Sequence, residues 1–455
     1  MSAAADAARG IWDHPIKRTV ALFTIMLVLI LLTSLVQGGA SVLLISTQAT
    51  AFALIALGLN IQWGYGGLFN FAVMGFLMVG GAATVFVSYP VNLAFWDSDG
   101  PMLLARAFAA FLVGLGIVIL ARRVDRIGMV GAWRNAVIVL AWLVAYIIYR
   151  SQIDPAAAYI ESTAGFVGGL GLHPVLGWAV GGLVSALIAL FIGRVSLGLR
   201  TDYLAIATIG ISEILRALIK NMDWLTRGTM TVSPIPWPTP LPQHLQQAGM
   251  SIPESFLYAR AGFLALAVLV LVIVFVLVQR AYGSPWGRMM RAIRDNHIAA
   301  GSMGKDVTGR QLELFVLGSI LMGMGGAMLA SFSQVFDPSG YQPINHTFMV
   351  WVMVIVGGAG NNFGVVLGAV LIYFVWILSD PLAQLIFVNL SHMTNAAGWG
   401  AIPEIESRAL QMRVFVLGVV ITLALRYAPR GLLPEVIRRE TCPASTSPPH
   451  TRLSP

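Results

Sequence analysis

The run from Ala261 to Val278, AGFLALAVLVLVIVFVLV, carries no charged or hydrogen-bonding side chain, and it ends at Gln279 and Arg280. A helix needs about 20 apolar residues to cross a hydrocarbon core about 30 Å thick. The run is continuous rather than alternating, so it reads as a spanning helix and not as a barrel strand. Similar runs lie on both sides of it. Across the 455 residues, 57% are hydrophobic and 11% are charged, with a mean hydropathy of +0.80. Soluble domains carry about 25% charged residues, so the composition specifies an all-α, polytopic integral membrane protein. Its transmembrane or re-entrant helices are expected to number about 10–12.

Spans are predicted near 20–36, 40–61, 66–88, 102–121, 129–149, 174–194, 203–220, 261–280 and 311–332. Two short helices at 347–357 and 362–379 and a last span at 412–428 complete the set. Arg9, Lys17 and Arg18 precede the first run, whose apolar core exceeds the roughly 7–15 residues of a secretory signal. It is therefore read as an uncleaved span that starts inside. The alternation leaves Arg122, Arg123, Arg126, Arg194, Arg200, the 288–310 cluster, Arg430, Arg438 and Arg439 on one side. On the other it leaves the loops around 97–99, 154–161 and 223–254. The positive-inside rule then puts both termini in the cytoplasm. It also accounts for the net charge of +8 better than a nucleic-acid surface, since the basic residues sit in short segments between spans. Arg106 and Arg134 fall inside weaker spans, where a long side chain reaches the interface. Cys442 is the only cysteine, which excludes an intrachain disulfide or a cysteine metal cage.

Immediately after Arg280 the character changes. Gly283 to Arg310, GSPWGRMMRAIRDNHIAAGSMGKDVTGR, is polar and basic. As a helix beginning near Pro285, it would put Met289, Ala292, Ile293, Asn296, Ala300 and Met303 on one stripe, with Arg288, Arg291 and Arg294 around the rest. Gly301 and Gly304 then weaken it. A cationic helix hung between spans has little to bury unless a soluble partner covers it; the plainer alternative is a basic interfacial loop.

The pattern Ala292-Ile293-Arg294-Asp295-Asn296, Ala299-Ala300, Met303-Gly304 resembles the cytoplasmic coupling segment of ATP-binding-cassette importer permeases, in particular the branched-chain amino-acid permease family of the LivM type. Four further segments carry the same resemblance. Ala56 to Asn60 followed by Gly64-Tyr65-Gly66-Gly67-Leu68-Phe69-Asn70-Phe71 looks like that family's glycine-rich break between early spans. Leu199 to Thr208, continuing to Ser212-Glu213-Ile214-Leu215-Arg216, is similar to its LRGDYLAI stretch, with Thr201 in place of a glycine. Val354 to Gly364 with Leu367-Gly368-Ala369 resembles its late glycine signature, and Arg426 to Leu432 its closing run.

From the residues themselves, the first break fits either a wall of the translocation path or tight packing through small residues. Asn60, Gly64, Gly66 and Asn70 are its candidate path residues. Glu213 would lie about 15 Å into its helix from Tyr203. An intramembrane carboxylate there should face protein or water, and Arg216 is its nearest possible partner. Thr208, Glu213 and Arg216 thus read either as a polar lining or as a structural pair. Gly357, Gly358, Gly360 and Asn361 would join two helix ends, presenting dipoles to a polar interior or forming a simple tight turn. His297 stands where the family often has glutamate, and Leu225 to Met230 departs from its usual pattern.

The chain lacks G-x-x-x-x-G-K-[ST], since Gly304-Lys305 is followed by Asp306, so ATP hydrolysis is not expected in this chain, and the resemblance implies that ATP and Mg belong on separate subunits. The histidines are scattered, without metal spacing. The resemblance implies a permease domain over 1–433, with an inserted helical pair in 89–173 and a coupling segment at 283–310, followed by a disordered tail at 434–455. It also implies partners: a second permease of the LivH type in a heterodimer, two peripheral ATPases and an external solute-binding protein. The expected setting is a bacterial-type inner membrane. Branched-chain or other aliphatic amino acids are the expected cargo, with amides or urea as related possibilities. The contrasting classes are a self-contained secondary transporter or channel using Glu213 as an ion or proton site, and a quinone-linked enzyme subunit.

Overall fold

The computed structural model describes residues 15–123, 132–396 and 404–435. Arg9, Arg126, Arg438, Arg439, Cys442 and the tail from Glu440 onward lie outside them. Among the described residues the protein is all-α, and nine helices are long and apolar enough to cross a membrane.

The chain opens with α1 (Pro15–Gln37) and α2 (Gly39–Leu59), the latter widening into a π turn at Asn60–Tyr65. The next helix, α3 (Val73–Ser88), starts later than the predicted residue 66. Gly67 takes φ +66°, and the Asn70 side chain accepts the Ala72 N–H at 2.8 Å, so the chain is not helical up to that point. A hairpin of α4 (Gly100–Arg122) and α5 (Ala132–Thr163) follows, its seam closed where Gly114 meets Ala145. The second of these is longer than the predicted 129–149. Next come α6 (Pro174–Ser196), α7 (Thr201–Lys220) and α8 (Ile252–Gly283). The apolar run Ala261 to Val278 forms the middle of α8, which begins nine residues earlier than predicted because Ser251 and Glu254 build a capping box there.

The basic segment is two helices rather than one: α9 (Pro285–Asp295) and α10 (His297–Ser302). Asn296 separates them in an extended conformation and caps α10 by accepting the Ala299 N–H at 3.0 Å. After α11 (Val307–Ser333), a π turn at Ile344–Phe348 leads into the short α12 (Met349–Gly357). The segment predicted as a short helix at 362–379 is instead the long α13 (Asn362–Ala396), which continues through Pro381. Proline removes one backbone donor, which neighbouring structure in a membrane helix can offset. The last helix, α14 (Ile405–Tyr427), is joined to α13 by the Arg413–Asp380 ion pair.

The core lies between α2, α3, α6 and α11. Its helices approach backbone to backbone. A Cβ on Gly80 would come 1.9 Å from the Gly323 carbonyl oxygen, and one on Gly58 2.5 Å from that of Gly318, so these crossings admit glycine alone. By contrast α1 and the α4–α5 hairpin expose large apolar side chains such as Leu27, Leu31, Phe108 and Trp142, as helices sheathed by lipid do.

One axis orders the two ends. α8, about 48 Å long at 1.5 Å per residue, has Arg260 donating to the Ala40 carbonyl at 2.7 Å near its start. At its finish Tyr282 stacks on Tyr65 with ring centroids 4.4 Å apart. This second, basic end carries α9 and α10. Gly193 packs beside Leu312 there, which puts Arg194 at the same end as Arg310.

Candidate functional site

At the basic end two breaks in the membrane helices meet. The π turn after α2 supplies Asn60, whose side-chain oxygen accepts the Gly360 N–H at 2.8 Å and whose amide donates to Asn362 at 3.0 Å. The Tyr65 hydroxyl donates to the same Asn362 oxygen, and the Asn362 amide donates to Gln279 of α8 at 2.7 Å. Asn60 is fully buried and Tyr65 and Asn362 nearly so, so each of these polar groups would be costly without its partner. Gly64 completes the fit. A Cβ there would lie 2.1 Å from the Asn60 oxygen and 2.6 Å from the Gly360 nitrogen.

The second break, between α12 and α13, turns through Gly358 (φ +113°) and Gly360 (φ +83°), conformations that favour glycine. Helix ends leave carbonyls unpaired. Here Leu432 N–H donates to Val356 at 2.8 Å and Leu433 N–H to Gly357 at 3.0 Å, so the chain after α14 satisfies the end of α12. Asn361 opens α13 by accepting the Phe363 N–H at 3.1 Å and donates to the Pro434 carbonyl at 3.2 Å. Pro434 and Glu435, the first residues of the segment expected as a tail, are thereby held against the bundle.

Arg294 of α9 links this knot to the basic segment. Its guanidinium donates to the Gly64 carbonyl at 2.5 Å, to Glu435 at 3.0 Å and to Asp295 at 3.1 Å. Burial disfavours the Arg294 charge, but Glu435 and Asp295 outweigh it and hold the guanidinium above its ordinary range. Tyr282 donates its hydroxyl to Glu435, and Arg291 stacks over the Tyr282 ring at 4.5 Å.

These contacts correct the expected face of α9. Gly287, Met290 and Ile293 are the buried positions, Met289 is half-buried, and Ala292, Asp295 and Asn296 point outward. Ile293 seats the helix on its own chain, and Arg291 and Arg294 are partly buried rather than fully hydrated. Ala300 is buried, whereas Ile298 and Met303 are 70% and 81% exposed. Arg288 is exposed as expected, and Gly304 (φ +76°) ends α10.

A companion network starts from the same π turn. Gln62 donates to the Phe315 carbonyl at 2.7 Å and to Ser319 at 3.1 Å, and Asn70 donates to Gln62 at 2.7 Å. Gly66 packs against Leu314, and the Phe71 N–H donates to the Thr208 hydroxyl at 3.0 Å. Asn60, Gly64, Gly66, Asn70, Gly357, Gly358, Gly360 and Asn361 are thus brought together in packed protein, and Thr208 touches their edge. Glu213 and Arg216 stand apart on α7, paired with each other at 3.3 Å and partly exposed. The sequence reading missed Gln62, Tyr65, Gln279, Tyr282, Asn362 and Glu435. A polar glutamine inside an apolar span beside a glycine break was the available signal for Gln62; Glu435 offered none, because its partners are distant in sequence.

Comparison with known proteins places the chain. The family model for the permease component of the branched-chain amino acid transport system matches residues 41–425. The high-affinity branched-chain amino acid transport system permease protein LivM of Salmonella typhimurium is 30% identical over 273 residues, 58% of this chain and 63% of that protein. LivM of Escherichia coli is 29% identical over the same shares, so the match spans less than two thirds of either relative's length. A probable branched-chain amino acid transport permease protein LivM from Methanocaldococcus jannaschii is 22% identical over 400 residues, 84% of this chain and 90% of that one. No solved structure matches. Since the family model runs from the start of α2 almost to the end of α14 and takes in both breaks and the basic segment, this chain belongs to the family of branched-chain amino acid transport system permease components.

Proposed function

We propose that the chain is the membrane-spanning permease subunit of an ATP-binding-cassette importer that moves branched-chain or other aliphatic amino acids. An external solute-binding protein delivers the cargo, and a second permease of the LivH type pairs with this one. Two peripheral ATPases bind ATP and Mg and dock on α9 and α10 from the cytoplasm, the side on which both termini lie. The carrying observation is the Arg294–Gly64 hydrogen bond. Through it a displacement of the basic segment reaches the break in α2, and through Asn60 and Gly360 it reaches the ends of α12 and α13. Rigid elements joined by polar networks are the kind of connection that carries such coupling.

The family match disfavours the secondary-transporter alternative, whose candidate ion site, Glu213, is paired with Arg216 at 3.3 Å. Reconstitution of the four-component complex in liposomes separates the two. The importer reading expects leucine uptake that requires ATP and the binding protein. Uptake by the permease alone, driven by a proton or ion gradient, would refute it.

A further inference from the structure

At the end away from the basic segment the bundle carries an open cavity of about 380 Å³ between α2, α11, α12, α13 and α14. Gln48 on its wall precedes Asn60 on the same helical path by about 18 Å at 1.5 Å per residue, so the cavity sits well above the knot. Its floor is Met349, the first residue of α12, and the last residue of α12 is Gly357 in the knot. One nine-residue helix therefore spans from the cavity to the contacts that Arg294 reaches.

The polar groups on the wall are arranged for a zwitterion. Gln48 spends its carbonyl oxygen on the Tyr373 hydroxyl at 2.9 Å, which leaves its amide N–H groups to donate. Arg413 engages Asp380 through two of its nitrogens and retains a third. Asp337 accepts the Ser339 N–H through one oxygen at 2.8 Å and keeps the other. Because Arg413 and Asp380 cancel, Asp337 gives the cavity a negative balance that attracts an ammonium group. Phe52, Met349 and Trp376 supply the apolar wall an aliphatic side chain would bury against.

We propose that this cavity holds the transported substrate in the outer half of the permease: an α-amino acid with its ammonium toward Asp337, its carboxylate toward Gln48 and Arg413, and its side chain on the apolar wall. The inference rests on the importer reading and gives it a site. It also joins the site to the coupling machinery, since α12 is common to both.

The test uses the full complex with its ATPases and binding protein, with leucine as the probe. Asp337→Asn is expected to lower leucine uptake about tenfold or more, the scale of losing a hydrogen bond between charged groups. Assembly and binding-protein-stimulated ATP hydrolysis should persist, because the knot is untouched. In a separate variant, Ser333→Cys on the cavity wall with Cys442→Ser, leucine should slow modification by a small methanethiosulfonate reagent. Wild-type uptake by Asp337→Asn, or modification of Ser333→Cys unaffected by leucine in a complex that still transports it, would overturn the cavity assignment alone. Absence of ATP-driven uptake of any aliphatic amino acid by the unaltered complex would overturn the importer reading, and this inference with it.

Discussion

Arg294 and Gly64 are 230 residues apart in sequence and joined by a 2.5 Å hydrogen bond from guanidinium to backbone carbonyl. It ties a helix outside the predicted spans to the π turn that ends α2. The carbonyl is available because a π turn breaks the regular backbone ladder, and the guanidinium is fixed because Glu435 and Asp295 hold its other donors.

Replacing Arg294 by glutamine should uncouple transport from ATP hydrolysis. Glutamine cannot present a charged fork to Gly64 and Glu435 together, and a charge-assisted contact of this kind contributes about 1.5–3 kcal/mol. The expected result is inserted, complex-forming protein with lower thermal stability and strongly reduced uptake per ATP consumed. Uptake per ATP equal to that of the unaltered complex would remove Arg294 from the coupling route.

Glycine positions offer an internal contrast. Gly64→Ala should reduce the yield of folded protein sharply, because the added carbon would overlap Asn60 and the Gly360 backbone in a region packed on every side. Gly116→Ala meets nothing within 4 Å and removes a poor helix former from the interior of α4, a gain of up to about 1 kcal/mol. Monodispersity on detergent size-exclusion chromatography distinguishes the two; equal behaviour would show that the knot tolerates a side chain.

Two isoleucines of the basic segment should fail in different ways. Ile293→Ala removes a buried side chain that is 2% exposed and should destabilise the permease itself by about 2–5 kcal/mol. Ile298→Asp alters an exposed side chain and should leave the permease stable while weakening ATPase co-purification, as loss of an interface anchor does. Normal ATPase recovery with the Ile298 variant would move the docking contact off α10.

Sidedness can be read by chemical labelling in a Cys442→Ser background. Cysteines placed at Ser302 and at Gln247, both exposed, should react with an impermeant reagent from opposite sides of the membrane. Gln247 is preferred to Gln246, whose amide bonds Ser255 at 2.9 Å. Labelling of both from outside intact cells would overturn the assigned topology.

Much of this architecture is a local property and therefore legible in the chain. Uninterrupted apolar runs such as Ala261 to Val278 must be helices in lipid, since no other local structure satisfies every backbone group there. The glycine-rich stretches at 64–67 and 357–364 announced that two backbones come close, and their asparagines announced polar groups in need of partners. The sequence could not say which partners. Asn60 reads equally as a pore wall or a buried donor until Gly360 and Asn362 are seen against it.

The face of α9 shows the same division. The amphipathic character of Pro285 to Asp295 was legible in its residues, but its phase was free. One residue of rotation, about 100° at 3.6 residues per turn, exchanges Met289 for Met290, and only the seat formed by α8, the π turn and α11 selects between them. That seat also includes Glu435, which arrives from the far end of the chain to meet Arg294. Periodicity and the existence of a span are set by neighbours within a few residues, and they were legible in the sequence alone, whereas the ends of α3, α5, α8 and α13 were not. Pairings across hundreds of residues follow from how the helices cross, and tertiary packing decided them.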